Sequence, residues 1–231
     1  EDVCVVLRGY GRASKGLFVV SLNGKILVDV KTSGDEAMLL ANSLSNATII
    51  VSENRIKAIL KAKELGCKII FLDDGFSKYQ ISKFNILLRP KDEPTNIFCL
   101  PSGGYREPKG FYAQANIELL EGTDFERVIS IKNDGKVCEL PAKTILITAI
   151  SKPKRLLEFL PKDIKMISFP DHYTFTKDDI FKIQNEYKDY SFVTTGKDFV
   201  KLKEFNITNL YLMDLDIKIN EKVDFFLMNE Y

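Results

Sequence analysis

The sequence is poor in the residues that most often advertise chemistry. It holds a single histidine in 231 residues, so any imidazole chemistry falls to His172. Cysteine is scarce as well: Cys4, Cys67, Cys99 and Cys138 lie far apart, with no C-x-x-C among them. Three of them sit in or beside apolar runs, a placement that suits buried reduced thiols and argues against a cysteine zinc site or a disulfide framework. No stretch approaches the roughly 18 consecutive apolar residues of a membrane-spanning helix, and no signal-peptide pattern stands at the amino end. An excess of one charge is missing too. The 33 basic and 32 acidic residues leave a formal net charge of +1, which excludes bulk electrostatic wrapping of nucleic acid and leaves only local basic sites. Neither G-x-x-x-x-G-K-[ST] nor G-x-G-x-x-G occurs, and there is no internal repeat. The first residues, "EDVCVVLRGYGR", carry no initiator methionine and run straight into a buried-type strand, so the chain is expected to be the remainder of a longer protein.

What is present is a globular balance, 45% hydrophobic and 28% charged, able to bury a core in a soluble enzyme or binding protein. The runs "VCVVL", "TIIV", "KIIFL" and "FNILL" alternate with the helical patterns "EAMLLANSL" and "NRIKAILKAKELG". That rhythm predicts a parallel sheet with crossover helices. The helix from Asn54 to Leu65 carries Ile56, Ile59, Leu60, Ala62 and Leu65 in its apolar spacing and stops at Gly66. Asn23-Gly24 between two alternating runs predicts a hairpin, and "RVISIKNDGKVCEL" predicts a second. The Pro- and Gly-broken stretch from Arg89 to Gly110 reads as a long loop, the kind that usually carries function. Beyond it, "TILITAI", "PKRLLEFL", "KMISF", "YSFVTTG", "KDFVKLKEF" and "LYLMDLDIKI" repeat the βα rhythm. The expected fold is α/β with mainly parallel sheets: a first unit over 1–110, a β-hairpin linker over 111–142 and a second unit over 143–231.

In open parallel sheets ligands bind beyond the carboxyl ends of the strands, which directs attention to the polar residues following each apolar run. After the first strand stands "RGYGRASKG", either a basic loop in which Arg8, Arg12 and Lys15 meet phosphates or a solvated turn. "KIIFL" ends in Asp73-Asp74-Gly75. Two carboxylates at a rigid strand end can hold magnesium beside phosphates, although Asp and Gly are also ordinary turn formers. Asp171-His172 precedes "TFTKDD", where Thr176 and Asp179 read as an N-cap and capping box. On that pattern alone His172 is equally a bystander at the mouth of a helix.

Taken in order, "LRGYGRASKG", "TSGDEAMLLA", "ENRIKAI", "LDDGFSKY", "LPSGGYREP", "TAISKPKRL", "FPDHYTF" and "TTGKDFVK" resemble the tetraacyldisaccharide 4'-kinase family, the lipid A kinases of Gram-negative bacteria, in a form similar to the ε-proteobacterial branch. The resemblance spans nearly the whole chain. It implies a first unit similar to P-loop kinases, with ATP and Mg2+ as cofactors and a tetraacylated glucosamine disaccharide 1-phosphate as the glycolipid acceptor. It further implies a peripheral location at the cytoplasmic face of the inner membrane, and a monomer is expected. Family members carry an amino-terminal membrane-associated helix and a Walker phosphate loop ahead of the "RGYG" strand. This sequence begins after both, so little turnover is expected of the 231 residues alone. By the resemblance, Asp35 and His172 form a proton-accepting dyad, Arg55 neutralises charge on the transferring group, and Asp73, Asp74 and Glu107 hold or orient magnesium. Arg8, Arg12 and Arg106 are the candidate phosphate contacts. The sequence departs from the family at Ser77-Lys78, where many members have Gln-His, at Gly196, where a glutamate is usual, and at Ala37, where a proline is. Two other readings stay open: a non-catalytic module that binds phosphate or glycolipid, and a magnesium-dependent phosphohydrolase with Asp73 as nucleophile.

Overall fold

The computed structural model describes residues 3–220. By their internal contacts the described residues form two compact units, one made of 3–73 together with 129–215, the other of 74–128 together with 216–220.

The first unit opens with β1 (Val3–Leu7), the hairpin β2 (Phe18–Leu22) and β3 (Lys25–Ile26), a single helical turn α1 (Val30–Ser33) and the helix α2 (Asp35–Ser43). Then come β4 (Ala47–Val51), α3 (Arg55–Glu64) and β5 (Ile69–Leu72). The sheet order is β3-β2-β4-β1-β5, with β1 parallel to both β4 and β5. The central β4, "ATIIV", is buried at every position, as expected of a parallel strand covered on both faces. Asn23 (φ 47°) and Gly24 (φ 82°) take the two left-handed turn conformations that suit a two-residue hairpin. A Cβ on Gly24 would stand 1.7 Å from the Ser45 carbonyl oxygen, so only glycine fits.

The helix expected from Asn54 is present, with the Asn54 side chain accepting from the Lys57 N–H as its N-cap. Its buried face is a correction in part, since Ala62 is buried as expected. Arg55, Ala58 and Ala62 face inward, whereas Ile56 and Leu60 are exposed. The two alanines allow the helix to lie close against Cys4, Val6 and Ile50, and a bulkier stripe would hold it off the sheet.

The chain next supplies β6 (Ile86–Arg89) and β7 (Ile117–Leu120), a parallel pair belonging to the second unit. The strands β8 (Phe125–Asn133) and β9 (Lys136–Val137) form the second expected hairpin, with Asp134 and Gly135 at its turn. The expected second βα series completes the rhythm: β10 (Thr144–Thr148), β11 (Lys165–Ser168), α4 (Lys177–Glu186), β12 (Ser191–Thr195), α5 (Gly196–Leu202) and β13 (Leu210–Ile219). The six strands order as β11-β10-β12-β13-β8-β9, with β10, β11, β12 and β13 parallel. Residues expected as a linker over 111–142 therefore include one edge of this sheet. Ile129 and Ile131 pack with Leu146, Val193 and Met213, and that apolar contact draws β8 into the sheet.

Within the first unit α5 packs on α2. A Cβ on Gly196 would meet Leu39 Cδ1 at 2.9 Å, so the absent side chain lies against α2.

Candidate active site

Asp35 is the first residue of α2, and Gly34 before it holds a left-handed φ of 83°. A carboxylate in that place meets the positive end of the helix. It is buried, 7% exposed. Across from it, His172 stands on the turn after β11, in a left-handed conformation (φ 58°) uncommon for a residue with a side chain. Its N–H donates to the Ala149 carbonyl at 3.0 Å, which fixes the backbone there. The ring Nδ1 lies 3.3 Å from Oδ1 and 3.2 Å from Oδ2 of Asp35. Tyr10 meets the imidazole edge-on, ring centroids 5.3 Å apart, and Gly11 passes so close that a Cβ would come within 3.3 Å of Nδ1. The expected capping box also forms: Thr176 Oγ1 accepts from the Asp179 N–H at 3.2 Å, and Asp179 Oδ2 accepts from the Thr176 N–H at 2.9 Å. Capping of α4 and contact of His172 with Asp35 thus coexist, because the cap uses none of the imidazole's atoms.

A layer of charge that the sequence reading missed lies behind this pair. Lys201 Nζ is 3.6 Å from Asp35 Oδ2 and 2.9 Å from Asp198 Oδ1, in the second case off the direction of a good hydrogen bond. Asp198 is wholly buried and accepts from the Ala149 N–H at 2.8 Å, from Thr148 Oγ1 at 3.1 Å and from Thr195 Oγ1 at 3.2 Å. The sequence signal was an Asp and a Lys three residues apart directly after a buried strand, but spacing of that kind is common on helix surfaces.

The remaining candidates fall in two groups. Arg55 is buried, and its guanidinium donates to the Ser52 carbonyl at 3.2 Å and to the Asp73 carbonyl at 2.9 Å, clasping the ends of β4 and β5. Arg12, a candidate phosphate contact, is engaged by the protein itself. Its side chain is only 2% exposed and donates to Ser14 Oγ at 3.1 Å, Gly16 O at 2.5 Å and Glu53 Oε1 at 2.6 Å. Those bonds hold the loop, and Arg8 is the exposed arginine of that segment. In the second unit Arg106 pairs with Asp74 at 2.8 Å, and Glu107 accepts from the Tyr79 hydroxyl at 2.8 Å. Partial burial, together with that carboxylate, pushes the Tyr79 hydroxyl above its ordinary pKa.

Among the described residues no three His, Cys, Asp or Glu side chains cluster as a ready-made metal cage. Magnesium takes one or two carboxylates and completes its shell with phosphate oxygens and water. The hard oxygen donors of consecutive Asp73 and Asp74 at the end of β5 are of the type that mode of binding uses.

Parallel sheets with carboxylate, imidazole and arginine side chains near their strand ends have the makings of an α/β phosphotransferase site. The family model described as Tetraacyldisaccharide-1-P 4'-kinase (LpxK) matches residues 1–231, and the chain belongs to that family. A tetraacyldisaccharide 4'-kinase from Aliarcobacter butzleri is 76% identical over 231 residues, all of this chain and 74% of that protein. One from Helicobacter pylori is 46% identical over 224 residues, 96% of this chain and 69% of that protein. The crystal structure of LpxK from Aquifex aeolicus in complex with ATP superposes with a TM-score of 0.72 at 26% identity, covering 96% of this chain and 76% of the other.

Proposed function

We propose that this chain transfers the γ-phosphate of ATP to the 4'-hydroxyl of a tetraacylated glucosamine disaccharide 1-phosphate, the step that phosphorylates the lipid A precursor, with Asp35 and His172 as the proton-accepting pair. The observation that carries the residue assignment is the contact of 3.2 Å between His172 Nδ1 and Asp35 Oδ2, made by residues 137 positions apart. Transfer to an alcohol requires that the hydroxyl lose its proton as its oxygen bonds to phosphorus and the bond to the ADP oxygen breaks. Asp35 accepts that proton. His172 donates its Nδ1–H to the carboxylate, holds it in one orientation and shares the charge that the proton brings.

Arg55 sits beneath the ends of β4 and β5, where its charge opposes the negative charge that develops on the transferring group. Arg8 and Arg106 are the phosphate contacts in this reading. Magnesium would be held by Asp73, Asp74 and Glu107, and when bound it neutralises charge on the phosphate oxygens. The acceptor's acyl chains call for work at a membrane surface, and no helix among the described residues is long and apolar enough to cross one. In this reading the enzyme is a peripheral monomer on the inner membrane's cytoplasmic face.

A double-variant cycle tests the pair. In the active enzyme Asp35→Ala and His172→Ala should each lower kcat by roughly two or more powers of ten, and the double variant should be little worse than either. Losses that multiply independently would show that the two side chains do not act as one unit.

A further inference from the structure

The ion pair behind Asp35 has no task in the reaction as described, yet it is costly to bury. Side chains of Lys201 and Asp198 are 11% and 1% exposed, on a helix whose other inward residues are apolar. A buried ion pair contributes less than an apolar pair of equal volume would, unless its charge is needed where it stands. We propose that Lys201, anchored by Asp198, is a positioning residue for the Asp35–His172 pair; the inference rests on reading that pair as the proton acceptor.

Three contacts surround the ammonium. Besides Asp198 at 2.9 Å, it faces Asp35 Oδ2 at 3.6 Å and donates to the Tyr173 carbonyl at 3.2 Å, on the residue next to His172. Of these only the bond to the Tyr173 carbonyl is a well-directed hydrogen bond, and the two carboxylates act on the ammonium by charge. The Phe175 ring closes another side, its centroid 5.4 Å from Nζ. Lys201 thereby touches both arms of the pair, α2 through the Asp35 carboxylate and the histidine turn through its backbone.

Asp198 reaches the same turn by a second path. It accepts the Ala149 N–H, and the Ala149 carbonyl accepts the His172 N–H. One buried carboxylate thus fixes the cation and the peptide that hold the imidazole. With an ammonium on Oδ2 and an imidazole across both oxygens, the Asp35 carboxylate cannot turn without losing a partner. The oxygen that takes the alcohol proton is held where the acceptor must meet it, and small errors in such placement are expensive in rate.

Lys197 supplies an internal control. It also joins α5 to α2, but through Glu36 at 2.5 Å rather than through Asp35, and at 40% and 42% exposure the pair lies at the rim.

The test is steady-state kinetics of the active enzyme, with the 15N spectrum of its ring nitrogens at His172. Lys201→Met should lower kcat roughly ten- to a hundredfold while KM for the glycolipid changes little, Lys201→Arg should recover most of the loss, and Lys197→Met should match the parent. The parent spectrum should show the proton on Nδ1, and Lys201→Met should show a mixture of tautomers. A folded Lys201→Met enzyme with parental kcat and an unchanged tautomer would overturn the proposal. So would an equal loss of kcat in Lys197→Met, or loss of thermal stability alone in both Lys201 variants. If His172→Ala turns over at the parental rate, the pair itself has failed and the proposal goes with it. If His172→Ala is crippled while Lys201→Met is not, only the positioning role has failed.

Discussion

Arg12 and Arg55 stand beside strand ends where phosphates are expected, and both have guanidinium groups bonded to the protein itself. Arg12 is the clearer case, since its side chain is wrapped by Ser14, Gly16 and Glu53 and lies over the Phe18 ring, 5.7 Å from its centroid. Glu53 responds with a pKa below the ordinary carboxylate value, held there by backbone N–H groups first and by Arg12 next. Arg12→Ala should therefore cost about 1.5–3 kcal/mol, the range for hydrogen bonds to a charged group, in urea unfolding, and leave KM for ATP essentially unchanged. A rise in that KM of about tenfold at unaltered stability would restore Arg12 to the phosphate site. His172 shows the reverse. A residue that the local pattern allowed to be a bystander is drawn into the site, by a backbone bond to Ala149 and by a partner on another helix.

Among the elements, the loop that follows β6 is tied by charge where it lacks regular structure. Glu93 accepts from Lys109 at 2.5 Å and from the Tyr105 hydroxyl at 3.1 Å, and pairs with Arg89, which also bonds Glu118 at 2.9 Å. The Lys109 bond first, and the Arg89 bond next, hold the Glu93 carboxyl down at about 2, against an ordinary 4.5. A folded-state value below the unfolded one means that the unfolded chain binds the proton more readily. The stabilisation is accordingly complete above about pH 4.5 and fades as pH falls toward 2. Amide exchange in residues 93–109 should gain protection with rising pH across that window once the intrinsic pH dependence is removed, and Glu93→Gln should abolish the gain. An identical profile in the variant would assign the ties to some other group. Helix α3 makes a different point about elements: its caps were legible from Asn54 and Gly66, whereas its inward face was not. Hydrophobicity favoured Ile56 and Leu60, but close approach to the sheet favoured Ala58 and Ala62.

For the molecule as a whole, the absence of a closed carboxylate cage among the described residues predicts how the metal behaves. Removing magnesium with a chelator should abolish phosphoryl transfer yet leave the melting temperature of the nucleotide-free enzyme where it was, because an ion held mainly by phosphates and water adds little to the fold without them. A large drop in Tm on chelation, with no nucleotide present, would instead mark a structural metal. The hairpins at Asn23-Gly24 and Asp134-Gly135, the cap at Thr176 and Asp179, and the alternation of parallel strands with helices were determined by the sequence alone. Each depends on groups a few residues apart, or on a period that one strand or helix displays by itself. Only the tertiary structure decided that β8 joins the second sheet, that Arg12 braces its loop, and that Asp35 meets His172 with Lys201 and Asp198 behind them. Those outcomes depend on the close packing of α5 against α2 and on contacts between residues well over a hundred positions apart, and no local propensity encodes such distances.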